Sequence, residues 1–313
     1  MTALKHEIEP DHIPDNKKKN GEISGNIEVN CYGDSLTFSY GGGEITYPGT
    51  LKGLLGSKCR VNNLGIGGET TITIAGRQGS IPMRVKAVTI PAKVNTVEIA
   101  FCGEGEEVPK PLRQGEAGVN PCFLKGIKGR LSITQSTTTS EDAKWYFTRE
   151  DSGEEVHIEE GEEVITQAAL HRRKGILVLW TGTNDVFTDP IGKSIEKLLH
   201  KQRIMIDYLK SSDKKYIVLG LTYKKNLEAS VIDGINKALE KEYGEYFLDI
   251  KTALVKYGLQ ASGIGESGQD RRDIGQGNVP DSLRVDEVHL NEYGYRFIGE
   301  QVYKKGCELG YWK

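Results

Sequence analysis

Apolar runs of about strand length recur through two parts of the chain, and the stretches between them carry helical spacing. Ile27–Tyr32, Arg60–Leu64, Ile176–Trp180, Tyr216–Leu221 and Tyr246–Ile250 read as strands. Ile176–Trp180 and Tyr216–Leu221 are the most continuously apolar, which predicts strands covered on both faces. Tyr47–Leu55, Ile191–Leu209, Ala229–Tyr243 and Asn291–Lys304 space their apolar residues for one helical face, with Asn291 as the N-cap of the last. Strands alternating with helices imply right-handed crossovers and a parallel sheet. Residues 26–76 and 172–313 therefore read as one discontinuous α/β domain.

Residues 77–171 follow a different rule. Polar and apolar positions alternate in Val85–Ile90 and Thr96–Phe101, and shorter candidates occur at Gly129–Thr134, Trp145–Thr148 and Glu155–Ile158. Pro91, Gly103, Gly105, Gly153 and Gly161 punctuate them, a pattern of antiparallel strands. A small β-rich domain is thus expected as an insertion, with Trp145, Tyr146 and Phe147 supplying its core rather than a stacking platform. Gln260–Arg284 has five glycines and almost no apolar pattern, and is expected to be a long functional loop.

Composition narrows the class. The chain has 313 residues, 27% charged and 37% hydrophobic, enough to bury a core. A formal net charge of -3 argues against a nucleic-acid partner, and no apolar run of about 18 residues offers a membrane span. The polar tail, 1–25, carries Lys17-Lys18-Lys19 but no apolar stretch of a secretory signal. A cytoplasmic location is the default expectation, and secretion requires another route or a leader already removed. The five cysteines match no zinc spacing and no C-x-x-C, so free thiols are expected, with a Cys102–Cys122 pair as the alternative. Cys31 reads as packing.

The candidate chemistry starts at Gly33-Asp34-Ser35-Leu36, just past the first strand. Serine attack on an acyl carbon needs a base, a group that orients the base, and donors for the oxyanion. Of six histidines, His6 and His12 lie in the tail, His157 in the β insertion, His171 in a basic run and His200 on an amphipathic helix. His289 directly precedes the last helix, and Asp286 stands three residues before it. One turn can bring that carboxylate to Nδ1 and leave Nε2 for the serine proton. Asn63–Thr70 is glycine-rich and suits close backbone approach. Gly182-Thr183-Asn184-Asp185 follows another strand, where Asn184 either serves an oxyanion or caps a helix.

Taken together, these four segments resemble the SGNH, or GDSL, family of esterases and lipases. The resemblance covers 26–76 and 172–313 and leaves out 77–171. It implies a flavodoxin-like three-layer fold with a five-stranded parallel sheet. It also implies that Ser35 is the nucleophile, that Asp286 and His289 complete the triad, and that the oxyanion hole is formed by the Ser35 and Gly68 N–H groups with the Asn184 side chain. No metal or organic cofactor is called for. The expected reaction is hydrolysis of a carboxylic ester, with deacetylation of a carbohydrate or other small-acyl ester favoured. Lipase or lysophospholipase activity and acyl transfer are the alternatives within the family. A carbohydrate-binding module on an inactive scaffold is the non-enzymatic one.

Overall fold

The computed structural model describes residues 27–103, 107–112, 117–134, 143–188, 190–223 and 227–312. The polar tail expected at 1–25, with its lysine run, His6 and His12, lies outside the described residues. Strand β1 (Ile27–Gly33) leads into a single helical turn, α1 (Ser35–Phe38), and then α2 (Tyr47–Leu55). Next come β2 (Cys59–Gly65) and α3 (Thr71–Gln78). A run of short strands follows: β3 (Met83–Val85), β4 (Val88–Ile90), β5 (Thr96–Ile99), β6 (Phe101–Cys102), β7 (Cys122–Leu124), β8 (Ile127–Ile133), β9 (Trp145–Arg149), β10 (Val156–Ile158) and β11 (Glu162–Ile165). The α/β pattern resumes with α4 (Gln167–His171), β12 (Ile176–Trp180), α5 (Ile191–Asp207), β13 (Tyr216–Leu219), α6 (Ala229–Tyr243) and β14 (Phe247–Leu248). The chain closes with α7 (Ile250–Ala253), a π-helical turn (Leu254–Gly258), α8 (Leu259–Ala261), α9 (Gly268–Gly275) and α10 (Glu292–Glu308).

The five strands β14-β13-β12-β1-β2 pair in that order, all parallel. Renumbered within the sheet this is 2-1-3-4-5, the flavodoxin-like order, with its switch point between β1 and β12. Period-two alternation divides each strand between two cores. Val29, Cys31, Val178 and Trp180 face α2 and α10, meeting Leu51, Tyr295, Ile298 and Val302. Tyr32, Leu177 and Leu179 face the other layer, meeting Ile74, Leu198, Met205 and Ile235 from α3, α5 and α6. All five residues of β12 are buried, as its unbroken apolar run requires. Cys31 is fully buried and its thiol is pushed up to about 12, a packing residue with no reactive thiolate. Every cysteine is free, Cys102 and Cys122 included.

Between α3 and β12 in sequence lies a separate antiparallel sheet of order β5-β9-β8-β7-β11-β3-β6. Its two edge strands are consecutive in the chain, joined across Ala100, whose carbonyl accepts the Lys86 N–H at 2.8 Å. The sheet therefore curls round and closes on itself where its first and last strands meet at Ala100. Ile99, Leu124, Leu131, Phe147 and Val164 fill its interior. Phe147 is core, as expected, while Trp145 is half-buried and donates its Nε1–H to the Pro111 carbonyl. Strands β4 and β10 form a two-stranded ribbon of their own.

Three expectations need correction. The alternating run Val85–Ile90 is not one strand: β3 pairs within the closed sheet and β4 pairs with β10, so the chain switches partner at Lys86–Ala87. Thr96–Phe101 likewise bends at Ala100 between two partners. Gln260–Arg284 is not simply a loop, because it contains α9 and a 3-10 turn at Asp281–Leu283. Helix α9 has no apolar stripe; polar contacts hold it instead. Ser267 and Asp270 form a capping box, and Asp270 also accepts the Ser282 N–H (2.9 Å) and Oγ–H (2.8 Å). Desolvation pushes the Asp270 carboxyl up, but the Ser282 and Ser267 donors outweigh it and bring it down to about 2.

Candidate active site

The site is built on the C-terminal tips of three neighbouring strands, β2, β1 and β12, where ligands bind in open α/β sheets. At the tip of β1, Asp34 caps α1 by accepting the Leu36 N–H on Oδ1 at 2.9 Å. This places Ser35 at the first helical position. Gly33 has no room for a Cβ, which would run into Thr37 Oγ1 and the Trp180 carbonyl. A Cβ on Gly65 would strike the Phe38 backbone in the same way. Both glycines therefore let α1 sit directly on the strand ends and raise Ser35 above them.

The base comes from the loop before α10. Val285 N–H donates to the His289 carbonyl at 3.0 Å, closing a tight turn. Within it, Asp286 Oδ1 accepts the backbone N–H groups of Val288 (2.8 Å) and His289 (2.7 Å). Its Oδ2 lies 2.8 Å from His289 Nδ1, and His289 Nε2 lies 2.8 Å from Ser35 Oγ. Desolvation raises the Asp286 pKa, but the His289 and Val288 hydrogen bonds and the imidazole charge more than reverse it, so the carboxyl is held below its usual range. Asn291 then caps α10, accepting from the Tyr293 and Gly294 N–H groups as the sequence predicted.

The glycine-rich turn after β2 reaches the same edge. Ile66 N–H donates to the Gly33 carbonyl at 3.1 Å, and two residues on Gly68 takes φ 83°, a left-handed conformation suited to glycine. Among the described residues neither the Gly68 N–H nor the Ser35 N–H meets an acceptor. Asn184, four residues beyond the end of β12, donates Nδ2–H to the Glu69 carbonyl at 2.9 Å, leaving its second amide hydrogen unused by that bond. Asn184 does not cap a helix. Its neighbour Asp185 does so across the fold, accepting the Thr71 N–H at the start of α3 (2.7 Å). The structure thus joins Ser35, His289 and Asp286 in one hydrogen-bonded line and ties Asn184 to the residue after Gly68.

The sequence did not reveal what holds these parts from behind. Glu69 and Arg77 form a fully buried ion pair, 2.6 Å at its closest. Arg77 also donates to the Leu64 carbonyl (2.8 Å) and, across to the closed sheet, to the Ala117 carbonyl (3.0 Å). Asp34 is 1% exposed, and burial pushes its carboxyl up to about 7, with Asp185 and Glu69 adding repulsion against the Leu36 N–H that favours ionisation. His157, His171 and His200 are exposed and remote in sequence from these contacts. Among the described residues no cluster of three or more His, Cys, Asp or Glu side chains gathers as a metal site, and no helix is long and apolar enough to cross a membrane.

The rim is apolar. Phe38, Tyr40, Val186, Val285 and Tyr293 are all exposed, and each lies within a few residues of Ser35, Asn184, Asp286 or His289. The sequence offered no stripe to reveal them, because they are spread over four separate segments.

No family model and no curated protein matches this chain. Among solved structures, one similar chain is described as lipolytic, of the G-D-S-L family, from Desulfitobacterium hafniense DCB-2 (14% identity, TM-score 0.45, covering 90% of this chain and 99% of that one). Another is a peptidoglycan O-acetylesterase (14% identity, TM-score 0.39, covering 91% of this chain and 92% of that one). Likenesses this loose carry no argument about chemistry, and the site stands on its own geometry: a serine, a histidine and an aspartate in line on the tips of a flavodoxin-like α/β sheet.

Proposed function

We propose that this chain is a serine ester hydrolase of the SGNH type, with residues 26–76 and 172–313 as the catalytic unit and 77–171 as a β insertion beside it. The observation that carries this reading is the line from Asp286 Oδ2 through the His289 ring to Ser35 Oγ, 2.8 Å at each step. Asp286 fixes the tautomer with the proton on Nδ1, so Nε2 accepts the Ser35 proton as Oγ attacks an ester carbonyl. The oxyanion is held by the Ser35 and Gly68 N–H groups and the remaining Asn184 amide hydrogen. Each such donor lowers the barrier by about 3 kcal/mol. His289 then protonates the leaving alcohol, and water attacks the acyl-enzyme by the same route in reverse.

The favoured substrate is a small acyl group, such as acetyl, on a carbohydrate. Phe38, Tyr40 and Tyr293 are exposed and close in sequence to Ser35 or His289, and such rings suit the faces of sugar rings. The same exposed side chains, with Val186 and Val285, favour a second reading in which apolar surface near the site receives the acyl chain of a lipid ester.

Hydrolysis of p-nitrophenyl acetate and labelling by a fluorophosphonate probe, each compared with Ser35→Ala, test the reaction. Both are expected in the native chain and absent in the variant; an unlabelled Ser35 would support a non-catalytic module instead. Comparing acetate with octanoate esters separates the substrates: a strong preference for octanoate selects the lipid reading.

A further inference from the structure

The loop that carries Asp286 and His289 also walls a second feature, a cavity of about 160 Å³. Glu287, Val288 and Leu290 line it from that loop, so the residues on either side of His289 both contribute. Opposite them stand Thr222 and Tyr223, just past the tip of β13. Because β13 neighbours β12 in the sheet, the cavity lies next along the strand edge from Asn184, on the side away from β2. An engineered cavity of about 150 Å³ holds one benzene ring, so this one has room for a single six-membered ring.

Its lining is mixed in a specific way. Val279 and Leu290 are buried and give an apolar floor. Around it Tyr223 Oη donates to Glu287 Oε2 (3.1 Å), and Arg284 Nη2 donates to Asp273 Oδ2 (2.8 Å). Two buried polar atoms have no partner among the described residues: Arg284 Nε, and Oγ1 of Thr222, a residue only 5% exposed. Unpaired buried donors are disfavoured, and hydroxyl groups of a ligand, able to donate and accept, would satisfy both after small side-chain rotations. Two carboxylates, Asp273 and Glu287, stand against the single guanidinium, so the lining disfavours an anionic ligand.

We infer that this cavity is the subsite for the alcohol half of the substrate, and that it takes a neutral, hydroxylated six-membered ring, a pyranose. The inference rests on the ester hydrolase reading above. It assigns Tyr223, Thr222 and Arg284 to ring recognition, with no part in the attack on the carbonyl. A sugar held there lies against Val288 and Leu290, the chain neighbours of His289, which in the proposed mechanism returns the proton to the leaving alcohol.

Tyr223→Phe and Thr222→Val each remove one hydroxyl with little change of shape. Steady-state kinetics with a mono-O-acetylated methyl glucopyranoside and with p-nitrophenyl acetate, which carries no hydroxyl, give the test. The expected result is a KM for the acetylated pyranoside raised about fivefold or more in either variant, with kcat/KM for p-nitrophenyl acetate within about twofold of the native value. Two results overturn the subsite while leaving the hydrolase reading standing. One is a native chain that cleaves p-nitrophenyl acetate but not the pyranoside; the other is variants that affect both esters alike, or neither. A native chain that cleaves neither ester overturns both readings together.

Discussion

The ring of Tyr40 packs against the imidazole of His289, with centroids 4.7 Å apart and planes tilted by 59°. Tyr40 is held there by its backbone: Ser39 takes φ 69°, and the Tyr295 hydroxyl donates to the Tyr40 carbonyl at 2.8 Å. The contact braces the imidazole whose Nε2 lies 2.8 Å from Ser35 Oγ. Tyr40→Ala is therefore expected to lower kcat/KM for p-nitrophenyl acetate roughly tenfold by loosening the imidazole, while Tyr40→Phe keeps it within about twofold. An unchanged kcat/KM in Tyr40→Ala would mean that the contact does not position His289.

Asn184 bridges the third strand tip to Glu69, and the proposed mechanism also makes it an oxyanion donor. Asn184→Ala is expected to lower kcat about a hundred- to a thousandfold with little change in KM. Equal loss in kcat and gain in KM would point to a disordered turn in place of a missing donor. Circular dichroism on the same sample checks that the fold is kept.

Asp34 titrates where it matters for storage and assay. Its carboxyl is pushed up to about 7 by burial, so the folded state holds the proton more tightly than the unfolded chain does. The stabilisation this gives is complete below about pH 4 and is lost as pH rises through about 7. Asp34→Asn keeps an acceptor for the Leu36 N–H but cannot ionise. Urea unfolding at about pH 5 and about pH 8 is expected to show a loss of stability in the native chain that the variant lacks. An identical loss in both would assign it to other groups.

The Glu69–Arg77 pair is fully buried, so removing one partner leaves a charge uncompensated. Arg77→Met is expected to cost about 3–5 kcal/mol, and the Glu69→Gln/Arg77→Met double variant to recover much of it. A double variant as unstable as the sum of the singles would show that the two side chains act separately.

Which parts could be read in the sequence follows from how each is held. Strands β1 and β12 are apolar runs buried on both faces, and Asp286 meets His289 through a three-residue turn; both signals are local. The placement of Ser35 was legible because Gly33 and Asp34 make the strand-to-helix turn themselves. Helix α9 was missed because periodicity records apolar faces, and this helix is fastened by Asp270 to serines on both sides; the Ser267-x-x-Asp270 capping box was the available signal. Tyr40 was missed because His289 lies across the fold, and Arg77 because its partner Glu69, eight residues earlier, belongs to a turn with no periodic pattern. The partner switches at Lys86–Ala87 and Ala100 were missed for a third reason: alternation marks a strand but does not say which strand it joins.

One contact at the foot of the closed antiparallel sheet bears on how the chain reaches this state. The Thr166 hydroxyl donates to the Arg77 carbonyl at 2.6 Å, so the chain departs from the parallel layer and returns to it at nearly the same point. Strands β1 and β12 must nevertheless find each other across a long separation; the Asn30 side chain bonds the Lys174 carbonyl, 144 residues on. Closing so long a loop at random is slow, since its entropy is lost before the pairing rewards it. Once the antiparallel sheet has formed, its two ends are pinned together and the effective loop shrinks to a short hinge. Folding order is thereby set by topology. Leu131→Ala, inside the closed sheet, is expected to slow refolding of the parallel layer it never touches, read through the fluorescence of Trp180 in a chain whose other tryptophans are replaced by phenylalanine.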